Sequence, residues 1–230
     1  MPEASLLLGI DTCGPSGSVA LARLQAGRLD LLGQTELAGR TYSATLVSAV
    51  AALLAQHGAT LRDVAVLVAV SGPGSFTGVR VCLSAAKGLA QPAGLPVVAV
   101  SRLAVLARKA GAVTAALDAH RHEVFLRITQ SGMEPRELLA GSADLAAIDP
   151  PAEIAVCDEA SELLRTVWPG TIQLSTPPPT AADALEFAQL RIAAGAFDEI
   201  ESLDGHYLRR SDAEIFGNAS SGSSLEPGQP

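Results

Sequence analysis

The most informative segment of the chain reads Ser71-Gly72-Pro73-Gly74-Ser75-Phe76-Thr77-Gly78-Val79-Arg80. It follows an apolar run from Val64 to Val70 and leads into a helical pattern that begins at Thr77. Three glycines and a proline in so short a loop set unusual backbone angles and bring main-chain N–H groups together at the start of a helix. Such a loop predicts a binding role.

Two known classes of glycine-rich loop do not match this stretch. A phosphate-binding P-loop has a lysine and a hydroxyl residue directly after its last glycine, whereas Gly78 is followed by Val79 and Arg80. A nucleophile elbow of the Gly-x-Ser-x-Gly type needs glycine where Pro73 stands. The sequence therefore predicts neither a P-loop nor a nucleophile elbow.

The apolar periodicity predicts one order of elements that occurs twice, the second time in a weaker form. In the first half we expect strands at 6–10, 18–24, 29–36, 64–70 and 96–100, and helices at 43–57, 77–91 and 103–110. In the second half we expect strands at 113–117, 123–129 and 154–157, and helices at 161–167 and 181–194. The pattern predicts an α/β fold with an N-terminal half (1–111), a C-terminal half (112–216) and a disordered, Gly/Ser-rich tail (217–230).

Composition limits the classes of function. The chain carries 16 Lys and Arg against 24 Asp and Glu, a net charge of -8, which is the wrong sign for direct binding of nucleic acid. Three widely spaced cysteines without a Cys-x-x-Cys pair favour reduced thiols over a disulfide framework or zinc site. No apolar run approaches the roughly 18 residues of a membrane span, so we expect a cytoplasmic protein.

Three segments together resemble the bacterial TsaB (YeaZ) family. They are Leu8-Gly9-Ile10-Asp11-Thr12 leading into Ser18-Val19-Ala20-Leu21, the loop quoted above, and Leu117-Asp118-Ala119 followed by Glu123-Val124-Phe125. Tyr207-Leu208-Arg209 also resembles the closing motif of that family. The resemblance implies two actin/hexokinase-like halves, the second degenerate, and a role in making threonylcarbamoyladenosine next to the tRNA anticodon.

The resemblance also implies partners. A family member of this kind is an inactive relative of the transferase TsaD, pairs with TsaD, and is joined by the ATPase TsaE. We accordingly expect a TsaD-like subunit and a TsaE-like ATPase as partners, a homodimer in isolation, tRNA contact only through the complex, and no membrane contact.

A metal site and a nucleotide cofactor are not expected. TsaD-type catalysis needs two histidines four apart on a helix, but the helix after Tyr42 and Ser43 has its one histidine, His57, at the far end. Asp11, Thr12 and Gly14 resemble a residual phosphate hairpin, although Asp11 also suits a turn that binds its own backbone. The second half has Cys157-Asp158-Glu159-Ala160 where relatives have a glycine-containing turn. We expect no catalytic residue and no cofactor.

Other polar residues have two interpretations each. His120 and His122 would share one face of a strand and suit a metal, or they form a polar hairpin tip. Asp118 and Glu123 suggest a carboxylate pair, or solvent-facing acids at strand ends. An active ATP-binding kinase of the same superfamily and a peptidase using Ser75 remain alternative functions, although no histidine has a readable link to Ser75.

The helices predicted at 43–57 and 77–91 have more apolar residues than the single apolar stripe that a surface helix ordinarily has. Such helices belong either to a single-chain core or to an interface, and we favour an interface with TsaD or a second copy. Small residues four apart on the second helix would allow close helix packing. The predicted interface residues are Leu46, Val50, Leu53, Leu54, Val81, Ser84, Ala85 and Gly88.

Overall fold

The computed structural model describes residues 4–39, 41–129, 133–158 and 160–209, and the bounds below refer to them. The first half contains β1 (Ala4–Asp11), β2 (Gly17–Gln25), β3 (Arg28–Leu37), α1 (Tyr42–Gln56), β4 (Val64–Gly72), α2 (Phe76–Ala93), β5 (Val97–Ser101) and α3 (Arg102–Lys109). The second half contains β6 (Ala115–Asp118), β7 (Glu123–Ile128), β8 (Arg136–Gly141), α4 (Ser142–Ala146), β9 (Glu153–Val156), α5 (Ala160–Val167), β10 (Ile172–Ser175) and α6 (Ala181–Ala193). A short 3-10 turn, Leu61–Asp63, precedes β4.

The two halves repeat one topology. The strand orders are β3-β2-β1-β4-β5 and β8-β7-β6-β9-β10. In each sheet the first three strands pair antiparallel, the fourth strand pairs in parallel with the first, and the fifth pairs in parallel with the fourth. This confirms the predicted α/β fold, in which the second half repeats the topology of the first. The second copy is the reduced one, because β6, β9 and β10 have only 4 residues each, whereas β1 to β4 have 8 to 10.

The first sheet is covered on both faces. Every residue of β1 from Leu7 to Asp11 is buried, which a sheet with one solvated face would not allow. Helices α1 and α2 pack against one face, and α6 packs against the other. A side chain at Gly9 would collide with the carbonyl of Ala181, so glycine is needed where the first turn of α6 crosses β1.

The halves exchange their last helices. Leu103 and Leu106 of α3 belong to the same hydrophobic cluster as Leu117 and Phe125 of the second sheet. Helix α6, at the end of the second half, buries its apolar side in the core of the first sheet instead. The two exchanged helices touch each other. The predicted halves therefore share their cores, and the predicted tail (217–230) lies outside the described residues.

Candidate functional site

The glycine-rich loop packs against the first hairpin of the chain. The backbone N–H of Ser75 donates to the carbonyl oxygen of Cys13 at 2.9 Å, and the hydroxyl of Thr12 donates to the carbonyl of Gly78 at 2.6 Å. A Cβ atom at Gly74 would collide with the carbonyl of Cys13, and one at Gly78 with the carbonyl of Thr12. The two segments that the sequence singled out as loop and hairpin thus form one unit, and two of the loop's glycines are required for their contact.

The hairpin itself is closed rather than open to a phosphate. Asp11 is 2% exposed, and its carboxylate accepts a hydrogen bond of 2.8 Å from the backbone N–H of Cys13. Thr12 and Gly14 are also buried. The hydroxyl of Tyr42 donates to the carbonyl of Gly14 at 2.9 Å. The side chain of Asp11 thus binds its own turn, as the second interpretation of this residue expects, and phosphate binding at Asp11, Thr12 and Gly14 stays a prediction.

Arg102, which the sequence analysis did not select, lies over this hairpin. Its guanidinium is 6% exposed and fills the space where a side chain at Gly14 would lie. Its Nε is 3.9 Å from the Asp11 carboxylate and has no hydrogen-bond partner among the described residues. Burial raises the pKa of Asp11, and the charge of Arg102 opposes that shift. The pair neutralises charge inside the protein. As the first residue of α3, Arg102 had no motif to mark it.

Ser75 has a structural role in the loop. It is the N-cap residue of α2, and its hydroxyl accepts a hydrogen bond from the backbone N–H of Gly78 at 3.4 Å. Two of the chain's histidines pair with acids elsewhere, since His120 contacts Asp118 and His206 contacts Glu137. Within the part of the chain that the structure describes, no histidine is hydrogen-bonded to the hydroxyl of Ser75, as the base of a serine nucleophile would be.

The second hairpin ends in a tight turn at residues 120–122, which matches the polar hairpin tip among the two interpretations given above and not the strand face. His120, Arg121 and His122 have φ angles of 61°, 56° and 59°, so all three are in the left-handed region. Residues in this conformation do not alternate between two faces, which removes the argument for a shared metal-binding face. The Nδ1 atom of His120 lies 2.8 Å from the carboxylate of Asp118. Among the described residues, no three His, Cys, Asp or Glu side chains cluster as metal ligands would.

Glu137 is the centre of a polar cluster between the two sheets that the sequence did not reveal. Its side chain is 7% exposed, and it accepts hydrogen bonds from Ser101 Oγ at 2.7 Å, Arg127 at 2.9 Å and His206 Nε2 at 2.7 Å. Burial alone would raise the pKa of Glu137, but these three donors outweigh it and lower that pKa. A single glutamate in a strand of mixed polarity carries no sequence signal of such a role.

The segment Leu203–Arg209 ties the two halves together. The backbone N–H of His206 donates to the carbonyl of Ser71 at 2.8 Å, while the ring of His206 binds Glu137. Arg209 donates to the carbonyl of Ala119 at 2.7 Å and also pairs with Glu123. Glu123 is therefore an ion-pair partner of Arg209, with a side chain that is 34% exposed.

The predicted interface needs a partial correction. Leu46, Val50, Leu53 and Leu54 are at most 4% exposed and lie in the chain's own core, so they offer no surface to a partner. The alternative that we ranked second, a single-chain core, applies to these four. On α2 the outcome differs, because Ser84 and Gly88 are exposed while Val81 and Ala85 are half-buried.

Helix α1 presents a second face to solvent. Val47 is 56% exposed, and Ala44, Ser48, Ala51 and Ala55 are exposed on the same side of the helix. None of the 15 residues of α1 is charged. A surface helix ordinarily turns charged residues to water, so this face, lying beside α2, is unusually apolar. No helix within the described ranges is long and apolar enough to cross a bilayer.

Comparisons with known proteins give one consistent family. Residues 34–157 match the family model described as "TsaD: tRNA N6-adenosine threonylcarbamoyltransferase". The curated TsaB proteins of Haemophilus influenzae and Escherichia coli are 40% and 39% identical to the chain over 125 residues. Each alignment covers 52% of this chain and 51% or 52% of the relative, so the match spans about half the length of these curated relatives.

A solved structure extends the match to nearly the whole chain. The crystallised YeaZ of Pseudomonas aeruginosa is 30% identical, with a TM-score of 0.71. That alignment covers 89% of this chain and 100% of the solved chain. Coverage this large means that the likeness is not confined to the first half and extends into the second half of the chain.

Proposed function

The chain belongs to the TsaB (YeaZ) family, within the group matched by the TsaD family model, and on that premise we propose that it acts in tRNA threonylcarbamoyladenosine biosynthesis. Its role in this proposal is that of a non-catalytic subunit. It dimerises with a TsaD-like catalytic subunit and supports the complex of that subunit with a TsaE-like ATPase. The three free cysteines suit a reducing, cytoplasmic setting.

The observation that carries this proposal is the uncharged face of α1 beside the small-residue face of α2. We call this surface the helix-pair face and define it by Ala44, Val47, Ala51, Ser84 and Gly88. All five residues are exposed in the single chain. An exposed patch of this kind is typical of protein–protein contacts, and small residues let a second pair of helices approach closely.

Gly88 supports the same interpretation. A glycine inside a helix costs about 1 kcal/mol relative to alanine. A Cβ atom at Gly88 would meet nothing within 4 Å, so none of the residues that the structure describes requires glycine there. A partner helix packed against Gly88 would explain the glycine, because a residue without a side chain lets two helices approach closely.

The closed first hairpin supports a non-catalytic role. A phosphate-binding hairpin must offer open backbone N–H groups, but here the Cys13 N–H is bound to Asp11 and the space over Gly14 holds Arg102. A net charge of -8 likewise favours contact with tRNA through a partner rather than through this chain's own surface.

The proposal is tested by charge substitution on the helix-pair face. Val47→Asp should abolish binding to the TsaD-like subunit, measured by calorimetry, and should reduce threonylcarbamoyladenosine formation by the complete enzyme set. Leu190→Asp on α6 is the matched control, because Leu190 is 83% exposed on a different helix. Both variants should keep their thermal stability, since the sites are exposed.

Two results would count against the proposal. Normal partner binding by folded Val47→Asp would remove the helix-pair face from the interface. Equal loss of binding by Leu190→Asp would show that the effect of the new charge is not specific to this face. The homodimer expected in isolation uses the same face, so Val47→Asp should also shift the isolated chain to a monomer in light scattering.

A further inference from the structure

A cavity of about 720 Å³ opens between α2 and the segment Leu203–Arg209. It lies apart from the closed first hairpin. Aromatic, cationic and acidic side chains line it together: Phe76, Tyr207, Arg80, Lys87, Arg209 and Asp204. The glycine-rich loop and the closing motif, far apart in sequence, thus meet at one place.

The packing of the loop does not account for two of its residues. Gly74 and Gly78 are required by contact with the first hairpin, but Phe76 and Arg80 point into the cavity instead. The guanidinium carbon of Arg80 lies 3.9 Å from the centroid of the Phe76 ring. Stacking on the ring fixes the guanidinium plane and leaves its N–H groups at the edge. Arg80 makes no hydrogen bond or ion pair with any residue that the structure describes.

Lys87 adds a second cation seven positions along α2, where residues return to the same side of the helix. Its ammonium group has no ion-pair partner within the described ranges. Arg209 also lines the cavity, but Glu123 compensates its charge. Asp204 is the one acidic residue of the lining and offsets only one of the two cations Arg80 and Lys87. The cavity therefore has a positive net charge, whereas the whole protein has a net charge of -8. A positive cavity on an acidic protein selects for an anion.

Tyr207 supplies a surface for a planar group. Its side chain is 38% exposed, and its ring centroid is 5.0 Å from that of Phe76 at an interplanar angle of 44°. The tilt leaves part of the tyrosine ring uncovered toward the cavity. An aromatic face beside cations is suited to a nucleobase whose phosphate is held nearby. The volume falls within the roughly 300–1,000 Å³ typical of sites for small ligands.

We propose that this cavity binds a mononucleotide, with Arg80 and Lys87 contacting the phosphate and Tyr207 packing against the base. Arginine donates two parallel hydrogen bonds to a phosphate group, and lysine adds a mobile point charge. The net charge of -8 repels a polyanion at long range, which favours a mononucleotide over RNA. Ser84 lines this cavity and also belongs to the helix-pair face, so the cavity lies beside the proposed partner surface. None of the contacts that favour a mononucleotide presupposes the proposed function in tRNA modification.

Calorimetric titration of the whole chain tests the phosphate contacts, with AMP as the probe and adenosine and inorganic phosphate as its parts. AMP should bind more tightly than either part. Arg80→Gln should weaken AMP binding by about tenfold or more, as expected for loss of a charge-assisted pair of hydrogen bonds. Arg108→Gln is the matched control, because Arg108 is an exposed arginine on α3 away from the cavity. It should leave AMP affinity unchanged.

Two further variants separate the base from the phosphate. Tyr207→Leu should weaken AMP binding and leave that of inorganic phosphate unchanged. Asp204→Asn should strengthen AMP binding, because it removes the one acidic side chain of the lining and retains an oxygen to accept from Gly205. Melting curves of each variant confirm that the protein is folded.

Several outcomes would overturn the site. They are the absence of saturable AMP binding in the millimolar range, equal losses from Arg80→Gln and Arg108→Gln, and adenosine binding as tight as that of AMP. A short single-stranded oligoribonucleotide that binds far more tightly than AMP would replace the mononucleotide by RNA and so overturn the proposal as stated.

Discussion

Thr12 and Gly78 are joined across 66 residues of sequence by a 2.6 Å hydrogen bond from the threonine hydroxyl to the glycine carbonyl. At the same place the backbone of Gly78 contacts the carbonyl of Thr12 so closely that no side chain fits between them. This contact fastens the start of α2 to the end of β1. The loop that marks the family in the sequence is thus a packing element of the first half.

Substitution of these glycines should therefore destabilise the fold. Gly78→Ala and Gly74→Ala each place a methyl group against hairpin backbone, and we expect a loss of roughly 1–3 kcal/mol in the free energy of unfolding, as for other overpacked sites. Urea denaturation measures the change. Gly88→Ala is the control, since its Cβ meets open space and should raise stability by about 0.5–1 kcal/mol. Equal stability for all three variants would contradict the packing role.

Leu53→Asp should unfold the protein rather than merely weaken its association. Leu53 is 2% exposed and lies in the chain's own core, so the aspartate would bury an unpaired charge. The free energy of unfolding should fall by roughly several kcal/mol. Circular dichroism and thermal melting should show loss of the native state at neutral pH. A folded Leu53→Asp protein with impaired dimerisation would instead return this residue to the interface.

Stability should fall in acid because of Glu137. The folded-state pKa of Glu137 lies below its ordinary value of 4.5, so its contribution is present above about pH 4.5 and is lost as the pH falls through the lowered pKa. Glu137→Gln should reduce stability at pH 7 by about 1.5–3 kcal/mol and flatten the dependence of stability on pH below 5. Chemical denaturation from pH 3 to 8 provides the measurement. An unchanged acid slope would mean that other carboxylates control it.

The thiols should react slowly in the native protein. Burial, together with the neighbouring Asp158, raises the pKa of Cys157 to about 11, and burial also raises the pKa of Cys13 and Cys82. Only the thiolate is nucleophilic, so a thiol reagent at pH 8 should label Cys157 slowly and the two buried thiols only after unfolding. Labelling of Cys157 should accelerate as the pH approaches 11. Rapid labelling of Cys13 or Cys82 at pH 8 would indicate local opening of the first half.

The two halves should unfold together, because each contains a helix packed on the other. Trp168, the one tryptophan of the chain, is buried in the second half and donates to the carbonyl of Leu145 at 3.1 Å. Its fluorescence reports the second core, whereas circular dichroism reports both. The two signals should share one midpoint in urea. Separate midpoints would show that the halves are independent.

The sequence predicted most of the fold because its strands are strongly apolar. The apolar runs at 6–10 and 64–70 carry clear signals, and predicted ends of these elements lie within a few residues of the observed ones. By contrast, β8 reads Arg-Glu-Leu-Leu-Ala-Gly, α4 has 5 residues and β10 has 4. Segments so short and mixed in polarity lack periodicity, and only tertiary packing stabilises them.

The candidate sites were less accessible to sequence reasoning. The helices were rightly recognised as rich in apolar surface, but burial in the core and exposure on the outer face cannot be separated when both faces consist of Ala, Val and Leu. Likewise, Arg102 contacts the first hairpin only because the tertiary fold places the start of α3 beside Gly14. Periodicity describes a helix face, and it does not describe which distant segment will cover that face.

The exchange of helices has a consequence for how the chain is made. On the ribosome the N-terminal residues emerge first, but the sheet that they form cannot be covered until α6, residues 181–193, has left the exit tunnel. The apolar face of that sheet is thus exposed during most of synthesis, a condition that promotes aggregation of nascent chains. The core of the first half is therefore completed only after most of the second half has been synthesised, and the protein has reason to depend on chaperones that hold unfinished chains.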